Sequence, residues 1–265
     1  MSTFKSIDKG KQRASFKDST LVLPIVSLAN VSQLASDLLV HSLPLELVGR
    51  LTSKYHIPVV SPRDYVEGQS APPGISTPVE VFQSQDGTVT LVQQRSPVIK
   101  SQKDEFVKAL TTFVKEEGFT RVLLVAGVDA GMRQAQDFDN PSPFRYLATP
   151  NASLGGNLKE VMTAYDPTSP DLQGNRIPLL PSSGITRRLL AALTEDASVE
   201  VCAVLMYVAE GDNRYDAHVL ARAVAKVLQK EVQDERWKEP VSWKLGLYGQ
   251  DTLRSTTEGS AELYG

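Results

Sequence analysis

The chain is poor in the residues that most often carry chemistry. Of 265 residues only one, Cys202, is a cysteine, so neither an intrachain disulfide nor a thiolate metal cluster can form. The lone thiol sits in the apolar run Val199-Glu200-Val201-Cys202-Ala203-Val204-Leu205-Met206, where it reads as a small buried hydrophobe rather than a reactive group. Histidine is almost as scarce. His41, His56 and His218 are the full set, and none stands at a metal-ligand spacing from another. Runs of Lys or Arg never exceed two residues and the net charge is -3, which is no footprint for a phosphate backbone, so nucleic acid is not an expected partner. No apolar stretch approaches the roughly 18 residues that a membrane span needs. Residues 1–18 are polar and basic without an apolar core, unlike a secretory signal, and read as a flexible N-terminal tail.

What is present is the patterning of a two-sided α/β fold. Hydrophobic residues make up 41% and charged residues 22%, close to the globular average. Leu21-Val22-Leu23-Pro24-Ile25-Val26 reads as a buried strand, with Pro24 marking an edge or a bulge because it removes a ladder donor. Asn30 caps a helix bearing Val31, Leu34, Ala35, Leu38 and Leu39 at helical spacing. Residues 45–51 form a second strand, followed by a Pro-rich irregular stretch over 57–78. Two strands flanking Asp86-Gly87 make a hairpin. A helix with Phe106, Val107, Leu110, Phe113 and Val114 on one face ends at Gly118, before the near-continuous apolar strand 121–127. Strand 144–148, helices over 157–164 and 184–193, the Cys202 strand and a helix from Tyr215 to Val232 complete the rhythm. The expected product is a single three-layer α/β domain over residues 19–249, its sheet mixed and mostly parallel between helices.

Candidate sites are few. Pro181-Ser182-Ser183-Gly184-Ile185-Thr186 opens a helix, and the unpaired N–H groups there could receive an anion, which makes Ser182-Ser183-Gly184 the best position for a phosphorylase- or hydrolase-like enzyme. No Gly-x-Ser-x-Gly or Walker pattern surrounds it, so a loop ending in an N-cap serine is the favoured reading. Gly155-Gly156 and Gly211-Asp212-Asn213 read as a loop and a helix cap. Asp129 and Asp137 have no partner that spacing identifies. No catalytic residue, cofactor site or metal site is therefore assigned. The last sixteen residues, 250–265, differ in kind: the stretch from Gln250 to Ala261 is polar and poor in core formers, a flexible tail, and it ends in Leu263-Tyr264-Gly265. Twelve tether residues reach about 40 Å when extended. An aromatic ring and a carboxylate on such an arm suit a pocket in another protein.

Several segments resemble those of the proteasome assembly chaperone 2 family: Leu21-Val22-Leu23-Pro24, Val31-Ser32-Gln33-Leu34-Ala35, Pro143-Phe144-Arg145-Tyr146-Leu147, Gly184-Ile185-Thr186, Val208-Ala209-Glu210-Gly211-Asp212-Asn213 and Ser242-Trp243-Lys244-Leu245. The resemblance implies a phosphorylase-like fold without enzymatic activity. It implies a cytoplasmic and nuclear chaperone that pairs with proteasome assembly chaperone 1 as a heterodimer and binds the α-subunit ring of the 20S proteasome during assembly. It further implies that Leu263, Tyr264 and Gly265 form a hydrophobic-Tyr-any motif that enters a pocket between neighbouring α subunits.

Overall fold

A computed structural model describes residues 4–7, 15–133, 140–165, 172, 177–230 and 232–245. The chain enters the sheet at once. Strand β1 (Phe4–Ser6) pairs antiparallel with β3 (Leu45–Leu51), and Phe4 and Phe16 are buried. The described part of the first eighteen residues is thus a sheet edge and a core contribution, where the polar composition had pointed to a flexible tail. Two phenylalanines among polar neighbours suffice to bind the segment to the sheet. Gly49 makes room for it: a Cβ there would stand 2.3 Å from the Phe4 ring.

Strand β2 (Thr20–Pro24) leads into helix α1 (Val31–Ser42), and β3 is followed by the Pro-rich excursion. That excursion is not wholly irregular, because β4 (Ser61–Pro62) and β5 (Ile75–Ser76) close it as a small antiparallel ribbon. Strands β6 (Val79–Ser84) and β7 (Val89–Gln94) form the expected hairpin around Asp86-Gly87, with Gly87 in the left-handed region at φ 70°. Helix α2 (Lys103–Glu116), strand β8 (Arg121–Asp129), strand β9 (Phe144–Ala148), helix α3 (Gly155–Val161) and strand β10 (Thr163–Ala164) follow. Helix α4 (Gly184–Leu193), strand β11 (Glu200–Val208), helix α5 (Arg214–Val227) and the short α6 (Val241–Leu245) complete the described chain. Gly155-Gly156 lies in the first turn of α3 rather than in a loop. Helix α5 stops at Val227, short of Val232, and Gln229 just beyond takes a left-handed φ of 55°.

The nine-stranded sheet runs β1-β3-β6-β7-β2-β8-β11-β9-β10. Its centre, β7-β2-β8-β11, is parallel, while β1, β3 and β6 join antiparallel on one flank and β9 on the other. Strict alternation sends β8 residues Val122, Leu124, Ala126 and Val128 to one face and Leu123 and Val125 to the other; β11 does the same with Cys202, Val204 and Met206 opposite Ala203 and Leu205. Helices α2 and α4 cover the first face, and α1, α3 and α5 the second, giving three layers.

Pro24 lies in the centre of this sheet, not at an edge, and no register shift accompanies it. Neighbouring residues of a strand turn their N–H groups to opposite sides. Ile25 N–H donates to Val125 O at 2.9 Å on the β8 side, so position 24 faces the β7 side, where the ladder has already ended at Val22. The missing donor costs no rung. The tolerance rule for proline concerns the unpaired side, which a central strand can also have at its end.

Candidate functional site

The last described segment is built into the fold around a buried carboxylate. Asp37, on the inner side of α1 and only 9% exposed, accepts from Gln93 Nε2 of β7 and from Trp243 Nε1 of α6 at 3.3 Å, and Arg95 Nη1 stands 3.4 Å away. Burial is the main influence on Asp37 and pushes its carboxyl above the usual range, against the pull of Arg95, Trp243 and Gln93. Trp243 is held further by Arg214 Nη2, which donates to its carbonyl at 2.6 Å. Outside this knot, the segment is laced to the excursion: Val241 N–H donates to Tyr65 O at 2.8 Å, Val66 bridges Pro240, Ser242 Oγ donates to Asp64, and Lys244 pairs with Glu67. The described chain therefore ends at a defined place on the protein. Residues 250–265, with Leu263, Tyr264 and Gly265, lie outside the described residues.

Beside this root opens a polar cleft of about 420 Å³ between the end of α1, strands β3 and β6, and the excursion. His41, Arg63, Tyr65, Glu80, Phe82 and Arg95 are among its lining residues. Period-2 alternation puts Glu80 and Phe82 on one face of β6. Glu80 is 1% exposed and lies 3.4 Å from Arg50 Nε, yet its Oε1 makes no hydrogen bond among the described residues. His41 Nε2 and Arg95 Nε are likewise buried without hydrogen-bond partners. Desolvation, reinforced by Arg95 and opposed by Asp64, lowers the His41 pKa, which keeps the ring neutral at pH 7.

The other sequence candidates do not converge. Ser183 is buried and its Oγ lies 2.7 Å from Thr186 Oγ1, one turn into α4, so the hydroxyl faces its own helix rather than an open anion site. Ser182 takes a left-handed φ of 59° to make that turn. Asp129 accepts from Gly131 N–H at 2.8 Å; Asp137 lies outside the described residues. His218 Nε2 is 2.8 Å from Glu239 at the surface. Cys202 is buried under α-helical cover and its thiol is pushed up to about 12, chiefly by desolvation, so it is inert.

His56 is a core histidine. It is 1% exposed, stands edge-on to Phe106 at 5.0 Å, and desolvation lowers its pKa to about 4. The unfolded chain binds a proton here near the ordinary value of 6.5, so the native state is favoured fully above that pH and loses the advantage as pH falls towards 4. Denaturant titrations should show roughly 2–3 kcal/mol lost from this group between pH 7 and pH 4. His56→Leu should flatten that part of the profile; an unchanged acid limb would assign the loss elsewhere.

Sequence patterning identified neither Asp37 nor the cleft. Asp37 stands next to Leu38 as one more polar residue of an amphipathic helix, and its partners lie 56 and 206 residues further along the chain. The only forward signal was the Pro-rich excursion, which supplies the outer wall.

The profile of the PAC2 family matches residues 21–239. A protein of Danio rerio named Proteasome assembly chaperone 2 is 32% identical over 257 residues, spanning 92% of this chain and 96% of its own. The Homo sapiens protein of the same name is 29% identical over 91% of this chain and 95% of its own. Among solved structures, Pyrococcus furiosus PbaA, an archaeal homologue of proteasome-assembly chaperone, superposes with a TM-score of 0.59 over 94% of this chain and 96% of its own. At 13% identity that likeness speaks for the fold.

Proposed function

The chain belongs to the PAC2 family, and from that premise we propose that it is a non-enzymatic chaperone of 20S proteasome assembly in the cytoplasm and nucleus. It pairs with proteasome assembly chaperone 1 as a heterodimer, and the pair binds the α-subunit ring while the core is being built. The observation that carries this reading is the extent of the similarity: relatives named Proteasome assembly chaperone 2 match this chain over about nine-tenths of its length. A catalytic alternative has less support. The helix start at Ser182-Ser183-Gly184 has its buried hydroxyl turned inward, and Cys202 is inert.

In this reading recognition has two parts. The folded domain supplies a broad surface, and Leu263, Tyr264 and Gly265 enter a pocket between neighbouring α subunits as a tethered second contact. The lacing of residues 240–244 to residues 64–67 supports the idea by giving the arm a fixed starting point. The direct test is affinity purification of the tagged chain from its own cells under gentle conditions, followed by mass spectrometry. The expected co-purifying set is one related chaperone together with α subunits, without the mature core's full complement. Recovery of the chain alone, or with proteins unrelated to the proteasome, would reject the proposal.

A further inference from the structure

The excursion over 57–78 turns its apolar residues outward. Eight large hydrophobic side chains are exposed among the described residues, and four of them, Ile57, Val59, Val60 and Ile75, belong to this one segment. The register of the β4-β5 ribbon explains the exposure. Ser61 pairs with Ser76 and Pro62 with Ile75, and residues directly opposite each other share a face. Ser76 is buried, so the Pro62–Ile75 pair faces out, with Ile75 49% exposed. Period-2 alternation puts Val60, 67% exposed, on the same outer face. The face is also held firmly. Arg50 Nη2 donates to Ile75 O at 2.9 Å, while Ile57 N–H donates to Pro97 O at 3.1 Å and Ile57 O accepts from Ser96 Oγ at 2.8 Å.

Size and position select the occupant. A few half-exposed aliphatic side chains make a patch of at most a few hundred Å², against about 800 Å² per partner in a stable protein–protein interface. That is the footprint of a short peptide, not of a second folded domain. Such a peptide starts alongside. Ser242 Oγ donates to Asp64 and Val241 N–H to Tyr65 O, so α6, where the described chain ends at Leu245, is fastened to the excursion close to the ribbon. The four residues from Val60 to Asp64 span at most about 14 Å. From Leu245 to Tyr264 runs a length of roughly twenty residues, which reaches about 65 Å when extended and about 25 Å as an average coil. An average reach comparable with the span is the condition under which a tether raises effective concentration most. Leu263 and Tyr264 bring the aliphatic and aromatic surface that a Val-Pro-Ile face accepts. We propose that Leu263 and Tyr264 fold back onto the outer face of Val60, Pro62 and Ile75, parking the arm on its own domain until an α-subunit pocket competes for it. This rests on Leu263-Tyr264-Gly265 being the docking tip, and adds its regulation. At a millimolar effective concentration, even a contact of about 0.1 mM affinity keeps about nine-tenths of the arms parked.

The test uses the full chain, with carbon-13 in its Ile and Val methyl groups and a nitroxide on Ser260→Cys; the buried Cys202 stays unlabelled. The methyl signals of Val60 and Ile75 should broaden. Tyr264→Ala should remove most of that broadening, whereas Tyr248→Ala, in the second Leu-Tyr-Gly at Leu247-Tyr248-Gly249, should leave it. Sharp Val60 and Ile75 signals would overturn the proposal. So would broadening that survives Tyr264→Ala, or that Tyr248→Ala abolishes. The double variant Val60→Ser, Ile75→Ser alters exposed side chains only and should keep the fold. By releasing the arm it should raise affinity for α rings about tenfold, a gain that vanishes once Leu263, Tyr264 and Gly265 are deleted. α rings that bind the intact and double-variant chains equally would also overturn the proposal. α rings that bind neither chain, beside a Tyr264-dependent broadening, would reject the assembly role and leave the contact standing.

Discussion

Deleting Leu263, Tyr264 and Gly265 is expected to weaken binding to α-ring intermediates by about a hundredfold, while pairing with the partner chaperone is unchanged. The magnitude follows from tethering. A short flexible linker holds its second contact at an effective concentration near the millimolar range, and even a weak second contact then multiplies the affinity of the first by 10² or more. Tyr264→Ala should lose most of the same factor, since an aromatic anchor in a pocket dominates such small interfaces and alanine leaves the pocket empty. Surface-immobilised α rings titrated with the intact, truncated and Tyr264→Ala chains would measure all three values. Equal affinities would remove the arm from the mechanism and leave the folded domain as the sole recognition surface.

The largest expected stability effect belongs to Phe113→Ala. Phe113 is fully buried on α2 among Phe4, Phe16 and Phe119, with ring centroids at 6.0, 6.2 and 5.5 Å. Removing its ring forfeits the transfer free energy and leaves a cavity bounded by three further rings. Truncations of this kind cost about 3–5 kcal/mol, and the lost aromatic pairs fall within that figure. Two of the three neighbours come from the first sixteen residues, so the substitution should also loosen β1 and the segment that follows it. Urea denaturation would read the loss in stability, and hydrogen exchange at Phe4–Ser6 would read the loosening. Phe113→Leu should retain most of the stability, with a cost under about 1.5 kcal/mol. A Phe113→Ala cost near 1 kcal/mol would mean that the cluster closes over the gap.

Much of the central sheet was legible from the sequence because its cause is local. Residues Val201 to Val208 and Val122 to Val128 are apolar on both strand faces, and only a sheet covered by helices on both sides accommodates that. The hairpin at Asp86-Gly87 and the stop at Gly118 likewise follow from glycines that take positive φ. What escaped the sequence is long-range. Phe4 looks like one apolar residue in a polar arm until Gly49 is placed beside it. Pro24 looks like an edge marker until the end of the β7 ladder is known. Asp37 looks like a solvated helix residue until Trp243 arrives from the far end of the chain. Patterning reports which face of an element is buried, but not which partner buries it. The cleft belongs to this second kind, since its polar residues come from α1, β3, β6, the excursion and Arg95 just beyond β7. The tip at Leu263-Tyr264-Gly265 was visible as a motif, and its role rests on the binding experiments above.

The lacing of α6 to the excursion also orders events during synthesis. Asp37 leaves the ribosome early, but its partner Trp243 is among the last residues of the described chain to be made. The sheet centre can close once β11 has emerged, at Val208. Until residues 240–244 follow, residues 64–67 lack their stitches and the Asp37 carboxylate lacks an indole donor. A nascent chain stalled before Pro240 therefore carries a nearly complete sheet with an unlatched outer wall. Completion of that wall therefore comes after closure of the sheet centre and waits for the last described segment.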